Sequence, residues 1–399
     1  MSRNPPAPSS SGFASEEGRR EDESSCDQRE TRGERRPDVG RVDRRRFAGA
    51  AAATALLAWG TKARGEEAEK PADARADTSL IARPPAGFQP LAAPGRVVRA
   101  EAKGDFPSMM QKNQLWPEPE VARRLLERAL TDLTGAPDAT AAMRRFIHPD
   151  DVVAIKVNGI AGQVGHTMAV NFELILPVVE AVLACGVPPE RLTVYEQYPT
   201  YLMGTRVGVR QWQLPAGVTT ATHNNRNHPM APVRIYRGIK TRFCRYFTEA
   251  TAVIDMTMMK DHSICGFTGA MKNITHGNID NPHEHHANQA SPQIAMLYNH
   301  PIVQSRVRLH IVDAFKITYD KGPLDKDPRT RVPHGSVYAS TDPVALDTVG
   351  WRVIDEERKA RKIPDLARSG REPRYVRYAG ELGLGQHDWN EIRLIHSTV

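Results

Sequence analysis

Five of the chain's 14 histidines crowd into one stretch: His262, His276, His283, His285 and His286. His283-Glu284-His285-His286 sits between Pro282 and Ala287, just after Asn278, Asp280 and Asn281. Neutral imidazoles beside a carboxylate suit zinc, iron, nickel or copper, and His283 and His285 share a face of an extended segment. The spacing is neither the helical His-Glu-x-x-His pattern nor specific to one metal. These histidines are candidate ligands of a transition metal of unspecified identity, with His262 the distant ligand and His300 a weaker one. The competing expectation is a solvated loop whose histidines cap turns and bond backbone, pointing away from any site.

A second set is cationic. Lys260 and Lys272 flank a glycine-containing turn, Gly266-Phe267-Thr268-Gly269, and Asn273 follows. Two ammonium groups and a turn offering backbone N–H groups make a pocket for carboxylate or phosphate. His262, Lys260 and Lys272 are the candidate catalytic groups; Lys156, Asn158, Asn273, Thr268 and Gly269 are candidate substrate contacts. The alternative is that the lysines pair with Asp255, Asp261 or Asp313 as ordinary ion pairs.

Other motifs carry less. Gly159 to Gly165 is spaced Gly-x-x-Gly-x-x-Gly, not as a dinucleotide fingerprint. It reads as a pocket wall, with His166 and Thr167 as contacts. Asp342 before Pro343 is a helix-start signature, and Asp347 either reaches the pocket or complements the helix dipole. No Gly-x-Ser-x-Gly elbow supports a serine nucleophile. Met256, Met258, Met259 and Met271 are expected in the core.

The elements that must position these residues alternate. Short apolar runs at Val152–Val157, Leu192–Tyr195, Ala252–Met256, Val307–Val312 and Ser336–Ala339 read as strands buried on both faces, with Ile392–His396 as a final strand. Helical segments are expected at Glu118–Leu133, Phe172–Cys185, Phe243–Glu249, Pro292–Gln304 and Pro343–Arg361. This alternation predicts an α/β fold: a mainly parallel sheet with flanking helices, Rossmann-like, in one or two lobes. Ligands in such folds gather beyond the carboxyl ends of strands, where the motifs fall.

Several of these motifs together resemble the domain-of-unknown-function 362 family. They are Lys156-Val157-Asn158; Met259-Lys260-Asp261-His262; Gly266-Phe267-Thr268-Gly269-Ala270-Met271-Lys272-Asn273; Val312-Asp313-Ala314; Lys321-Gly322-Pro323; and Ala339-Ser340-Thr341-Asp342-Pro343-Val344-Ala345-Leu346-Asp347. Their order and spacing match the family pattern over about residues 150–360, and the most specific part is Lys-x-His followed by Thr-Gly-Ala-x-Lys-Asn. The resemblance implies a fold and a site rather than a reaction. Members with a twin-arginine signal look most similar.

That signal is legible here. Arg44-Arg45-Arg46-Phe47 opens onto an alanine-rich apolar run, Ala48 to Trp59, too short for the ~20 residues that span a bilayer. Residues 1–63 therefore read as a disordered leader plus export signal, 64–115 as a linker and extended lead-in, and 116–399 as the α/β domain. The expected protein is periplasmic or secreted, passed folded to the twin-arginine export machinery, with no stable membrane anchor after cleavage. The formal net charge is +7, a mild basic excess that favours an anionic small molecule. Nucleic acid is disfavoured, since no basic run interleaves with aromatics. Of four cysteines, Cys26 falls in the leader; Cys185, Cys244 and Cys265 form no CxxC pair. A self-contained iron–sulfur cluster is not expected, while one disulfide is compatible with export.

The functional expectation is a periplasmic enzyme that holds an anion on Lys260, Lys272 and Asn273. A histidine-bound metal, or His262 as acid–base, carries its chemistry, with redox favoured by the export route. The alternative is a non-catalytic periplasmic protein that binds a metal or small anion for a partner enzyme.

Overall fold

The computed structural model describes residues 78–159, 166–224, 229–234 and 239–399. The export signal and the Gly-rich stretch 160–165 lie outside these residues. The strands are β1 Arg96–Glu101, β2 Val153–Lys156, β3 Leu192–Glu196, β4 Thr219–Thr222, β5 Met230–Arg234, β6 Lys240–Cys244, β7 Ala252–His262, β8 Gly266–Thr268, β9 Val307–Thr318, β10 Arg331–Ser340 and β11 Arg393–Thr398. Nine form one sheet in the order β11-β1-β10-β9-β7-β2-β3-β4, with β8 paired to β7. From β9 to β4 all neighbours are parallel, as expected of strands buried on both faces. On the other side β10 runs antiparallel to β9 and to β1, so the sheet is mixed. Strands β5 and β6 make a separate hairpin.

Alternation along the strands feeds two cores, one on each face. Val153, Ile155, Ile254, Met256 and Met258 pack with Leu125, Leu126 and Val178 from the helices Pro119–Thr134 and Phe172–Ala184. Ala154, Val253, Met259 and Met271 pack on the opposite face with the helices Ala270–His276, Ser291–Tyr298 and Pro343–Ala360. The four methionines are thus core residues. Glu69–Val399 is one compact unit, and two lobes are not found within it.

Four expectations need correction. The segment read as a linker contains β1, whose Val97, Val98 and Ala100 are wholly buried between β10 and β11. Strand β7 does not stop at Met256 but runs to His262, buried at all its positions, so Lys260 and His262 stand on a strand rather than in a loop. The expected helix at Phe243–Glu249 is shorter, because β6 runs through Cys244 and only Arg245–Thr248 is helical. The expected helix Pro292–Gln304 breaks in two at Pro301, which has no N–H to donate; the His300 ring caps the second piece by accepting from Ile302 N at 3.2 Å. Cys185, Cys244 and Cys265 are separate buried thiols, and no disulfide joins them.

Candidate functional site

The floor of the site is a chain of mutually satisfied polar groups. Lys156, at the carboxyl end of β2, donates to Val157 O at 2.6 Å and Asn273 Oδ1 at 3.3 Å, and pairs with Glu196 Oε1 at 3.0 Å. Asn158 donates to Asn273 Oδ1 at 3.0 Å and accepts from Lys260 Nζ at 2.7 Å. Asn273 Nδ2 spends its hydrogens on Asp255 Oδ1 at 2.6 Å and Met256 O at 3.1 Å. Behind it, Asp255 Oδ2 takes His310 Nδ1 at 2.8 Å. Lys156, Asn158 and Asn273, expected as substrate contacts, line the cavity and also hold one another. Lys260 lies behind Asn158 with no exposed surface, and burial pushes its ammonium down to about 7. The expected partners of the lysines are engaged elsewhere: Asp255 with His310, Asp261 with Arg371 at 2.6 Å, and Asp313 with Asn171 at 2.7 Å.

Lys272 differs. It stands on the helix Ala270–His276, 8% exposed, at the wall of a cavity of about 230 Å³. No hydrogen-bond or ion-pair partner for its ammonium occurs among the described residues. Burial lowers its pKa, and the Lys156 charge adds to that. The helix that presents it is fixed by Asp347, whose carboxylate accepts from Ala270 N at 2.6 Å, Met271 N at 3.1 Å and Tyr375 Oη at 3.0 Å. Asp347 thus caps a helix other than its own and does not reach the cavity. Gly269 makes room for that cap: a Cβ there would sit 2.2 Å from Asp347 Oδ1. Its role is spatial, while Thr268 lines the cavity with a buried hydroxyl that has no partner.

The histidine segment is not a solvated loop pointing outward. It is tied to β6 by Arg242 N to Asp280 Oδ1 at 3.0 Å and by Thr241 Oγ1 to His285 Nε2 at 2.7 Å. It folds back so that His262, His276, His283 and His286 all line the cavity. The His262 and His286 rings stack 5.6 Å apart, and His276 meets His286 edge-on at 4.9 Å. His285 is buried behind them, and His300 lies against Phe243 instead.

Convergence of rings is not a metal site. Among the described residues no three His, Cys, Asp or Glu side chains group as a cation would need. The ring nitrogens explain why. His262 Nδ1 accepts from Ile264 N at 3.1 Å and Cys265 N at 3.4 Å, so the ring proton sits on Nε2, which then cannot ligate. His276 Nε2 donates to His285 O at 3.1 Å. His286 Nδ1 donates to Pro282 O at 2.7 Å, leaving its Nε2 bare. His286 Nε2 is thus a proton acceptor. This arrangement does not fit the expected histidine-bound metal. Burial, then the Lys272 charge, lowers all three rings, His286 to about 4. They are neutral at pH 7.

The opposite wall was missed from sequence. Glu196 ends β3, and Tyr198 and Tyr201 follow it into the cavity, edge to face at 4.9 Å. The position of Glu196, one residue past an apolar run, was the available signal. Gly159 lies so close to this wall that a Cβ would meet Tyr201 O at 1.7 Å. Pro323 also lines the cavity, because Gly322 N donates to Asp261 Oδ2 at 3.0 Å and brings the Lys321-Gly322-Pro323 segment against β7. His166 and Thr167 are not among the lining residues.

A family model described as "Domain of unknown function (DUF362)" matches residues 153–352, which span the whole site. No curated protein matches the sequence. Among solved structures the chain is similar to the lactate racemase apoprotein from Thermoanaerobacterium thermosaccharolyticum, with 11% identity and a TM-score of 0.37. The likeness covers 65% of this chain and 57% of that one, and it carries no functional argument.

Proposed function

The chain belongs to the domain-of-unknown-function 362 family, and since that name assigns no reaction, we propose from its own residues that it is an exported enzyme acting by acid–base chemistry on a small anionic molecule. The observation that carries this reading is Lys272, a buried ammonium at the cavity wall with no hydrogen-bond or ion-pair partner among the described residues. A buried unpaired cation is costly, and an anion that takes the empty place relieves that cost. Thr268 Oγ and His262 Nε2–H supply directional donors, and His286 Nε2 accepts a proton. The Lys156–Asn273–Asn158–Lys260 floor fixes the geometry. Export rests on Arg44, Arg45 and Phe47 ahead of the apolar run. Replacing Arg44 and Arg45 by lysine should leave the protein in the cytoplasm, and unchanged periplasmic recovery would remove that part.

Calorimetric titration with acetate and with inorganic phosphate tests the site. One anion should bind per chain. Thr268→Val should weaken it by about 0.5–1.5 kcal/mol, or roughly 2- to 12-fold, the worth of one hydrogen bond. His262→Gln should keep binding and lose turnover in an enzyme, whereas a carrier has no turnover to lose. Absence of saturable anion binding overturns the reading.

A further inference from the structure

The substrate class can be narrowed, on the footing that the cavity is an anion site. Lys272 is crowded by two other lysines, of which Lys156 is saturated by three acceptors and Lys260 is shielded by Asn158. An amine buried near other cations, with nothing to stabilise its ammonium form, is a nucleophile as well as a charge. Around it stand the groups that addition to a carbonyl needs. His262 Nε2–H can donate to a carbonyl oxygen, His286 Nε2 can take a proton, and the Thr268 hydroxyl lacks a partner.

We infer that Lys272 forms a Schiff base with a small 2-oxo acid. The Lys272 ammonium first gives one proton to solvent; its freed lone pair forms a bond to the keto carbon, and the carbonyl π pair moves to oxygen. His286 Nε2 takes a proton from the attacking nitrogen and passes it to that oxygen, giving a carbinolamine. The hydroxyl leaves as water with one proton from solvent, and the nitrogen lone pair closes the C=N bond. The balance is amine plus ketone plus proton giving iminium plus water, with no oxidant or reductant. A 2-oxo acid fits because its carboxylate is attached to the carbon that Lys272 attacks. The positive nitrogen that attracts the acid is therefore still beside it as the iminium. The cavity of about 230 Å³ suits a molecule of a few heavy atoms.

The test is incubation of the full chain with pyruvate and sodium cyanoborohydride at pH 7, followed by peptide mass mapping. Lys272 should carry one reductively linked pyruvate. It should be labelled faster than any other lysine, because burial lowers its pKa and leaves more of it as neutral amine beside the bound acid. Excess acetate should slow the labelling, and Lys272→Arg should abolish it. Acetate binding without selective labelling of Lys272 overturns the Schiff base and leaves the anion site standing. If neither acetate nor pyruvate binds, both fall.

Discussion

Replacing Lys272 by methionine keeps the apolar stem and removes the ammonium, so it separates the two things a buried lysine can do. If the charge exists for a ligand, the empty protein holds an unpaired cation at 8% exposure. Removing it should then stabilise the empty fold by roughly 1–3 kcal/mol, the penalty of a buried unsatisfied group. That corresponds to a rise in Tm of roughly 2 °C per kcal/mol for a domain of this size. The pH dependence has a definite sign. The folded pKa lies below the ordinary 10.5, so both folded and unfolded chains carry the charge at low pH, and the penalty is full there. It fades as the pH rises from the folded pKa towards 10.5, and the two proteins should converge above that. Anion affinity should fall by about 1.5–3 kcal/mol, the worth of a charge-assisted hydrogen bond, or roughly 10- to 150-fold. Thermal unfolding at pH 6 and pH 10, with acetate titrations at pH 6, reads both effects. A lower Tm at pH 6 with unchanged acetate affinity would show that Lys272 serves the fold, and would refute the reasoning.

Lys260 makes a related prediction without touching the ligand. Its ammonium is held near 7, so between about 7 and 10.5 the unfolded chain binds the extra proton. Stability should rise with pH across that window, by at most about 1.4 kcal/mol per pH unit. Lys260→Met should flatten the rise, as read by urea midpoints at pH 6.5, 8 and 9.5. Gly269→Ala should cost about 1–3 kcal/mol, because the new Cβ drives into Asp347 and Phe267. It should also weaken acetate binding, since the helix carrying Lys272 loses its cap; urea unfolding with the same titration checks both.

Much of the site was legible because its chemistry is concentrated at strand ends. The positions of β2, β3, β7, β9 and β10 follow from apolar runs, and the motifs place Lys272, His262, Thr268 and the histidine segment after them. What was not legible has particular physical causes. Strand β7 was ended at Met256 because Lys260, Asp261 and His262 look like loop residues. They remain in the strand because Asp261 meets Arg371 and Lys260 meets Asn158, partners 110 and 102 residues away. Strand β1 was hidden by the Pro- and Ala-rich sequence around it, since pairing with β10 and β11 is a long-range event. Lys156, Asn158 and Asn273 have the composition of a binding set. Only their mutual distances reveal that they satisfy one another. The histidines clustered as expected, but which ring nitrogen bears the proton depends on backbone N–H groups and carbonyls that no spacing rule contains.

Strand β7 has a consequence for where this protein can change. Its eleven residues are buried throughout, flanked by β9, by β2 as far as Asp255 and by β8 from Lys260 to His262, so the amides of Lys260 to His262 should exchange with solvent slowly. One wall of the cavity is thus rigid, and ligand exchange must use the other. Tyr201 lies on the short helix Pro199–Gly204 with Tyr198 just before it, and His283 precedes a short turn, places outside the sheet where substitutions are better tolerated. Ligand preference can therefore diverge on that side while the lysine and asparagine floor stays fixed, which separates inherited stability from selectable specificity within one cavity.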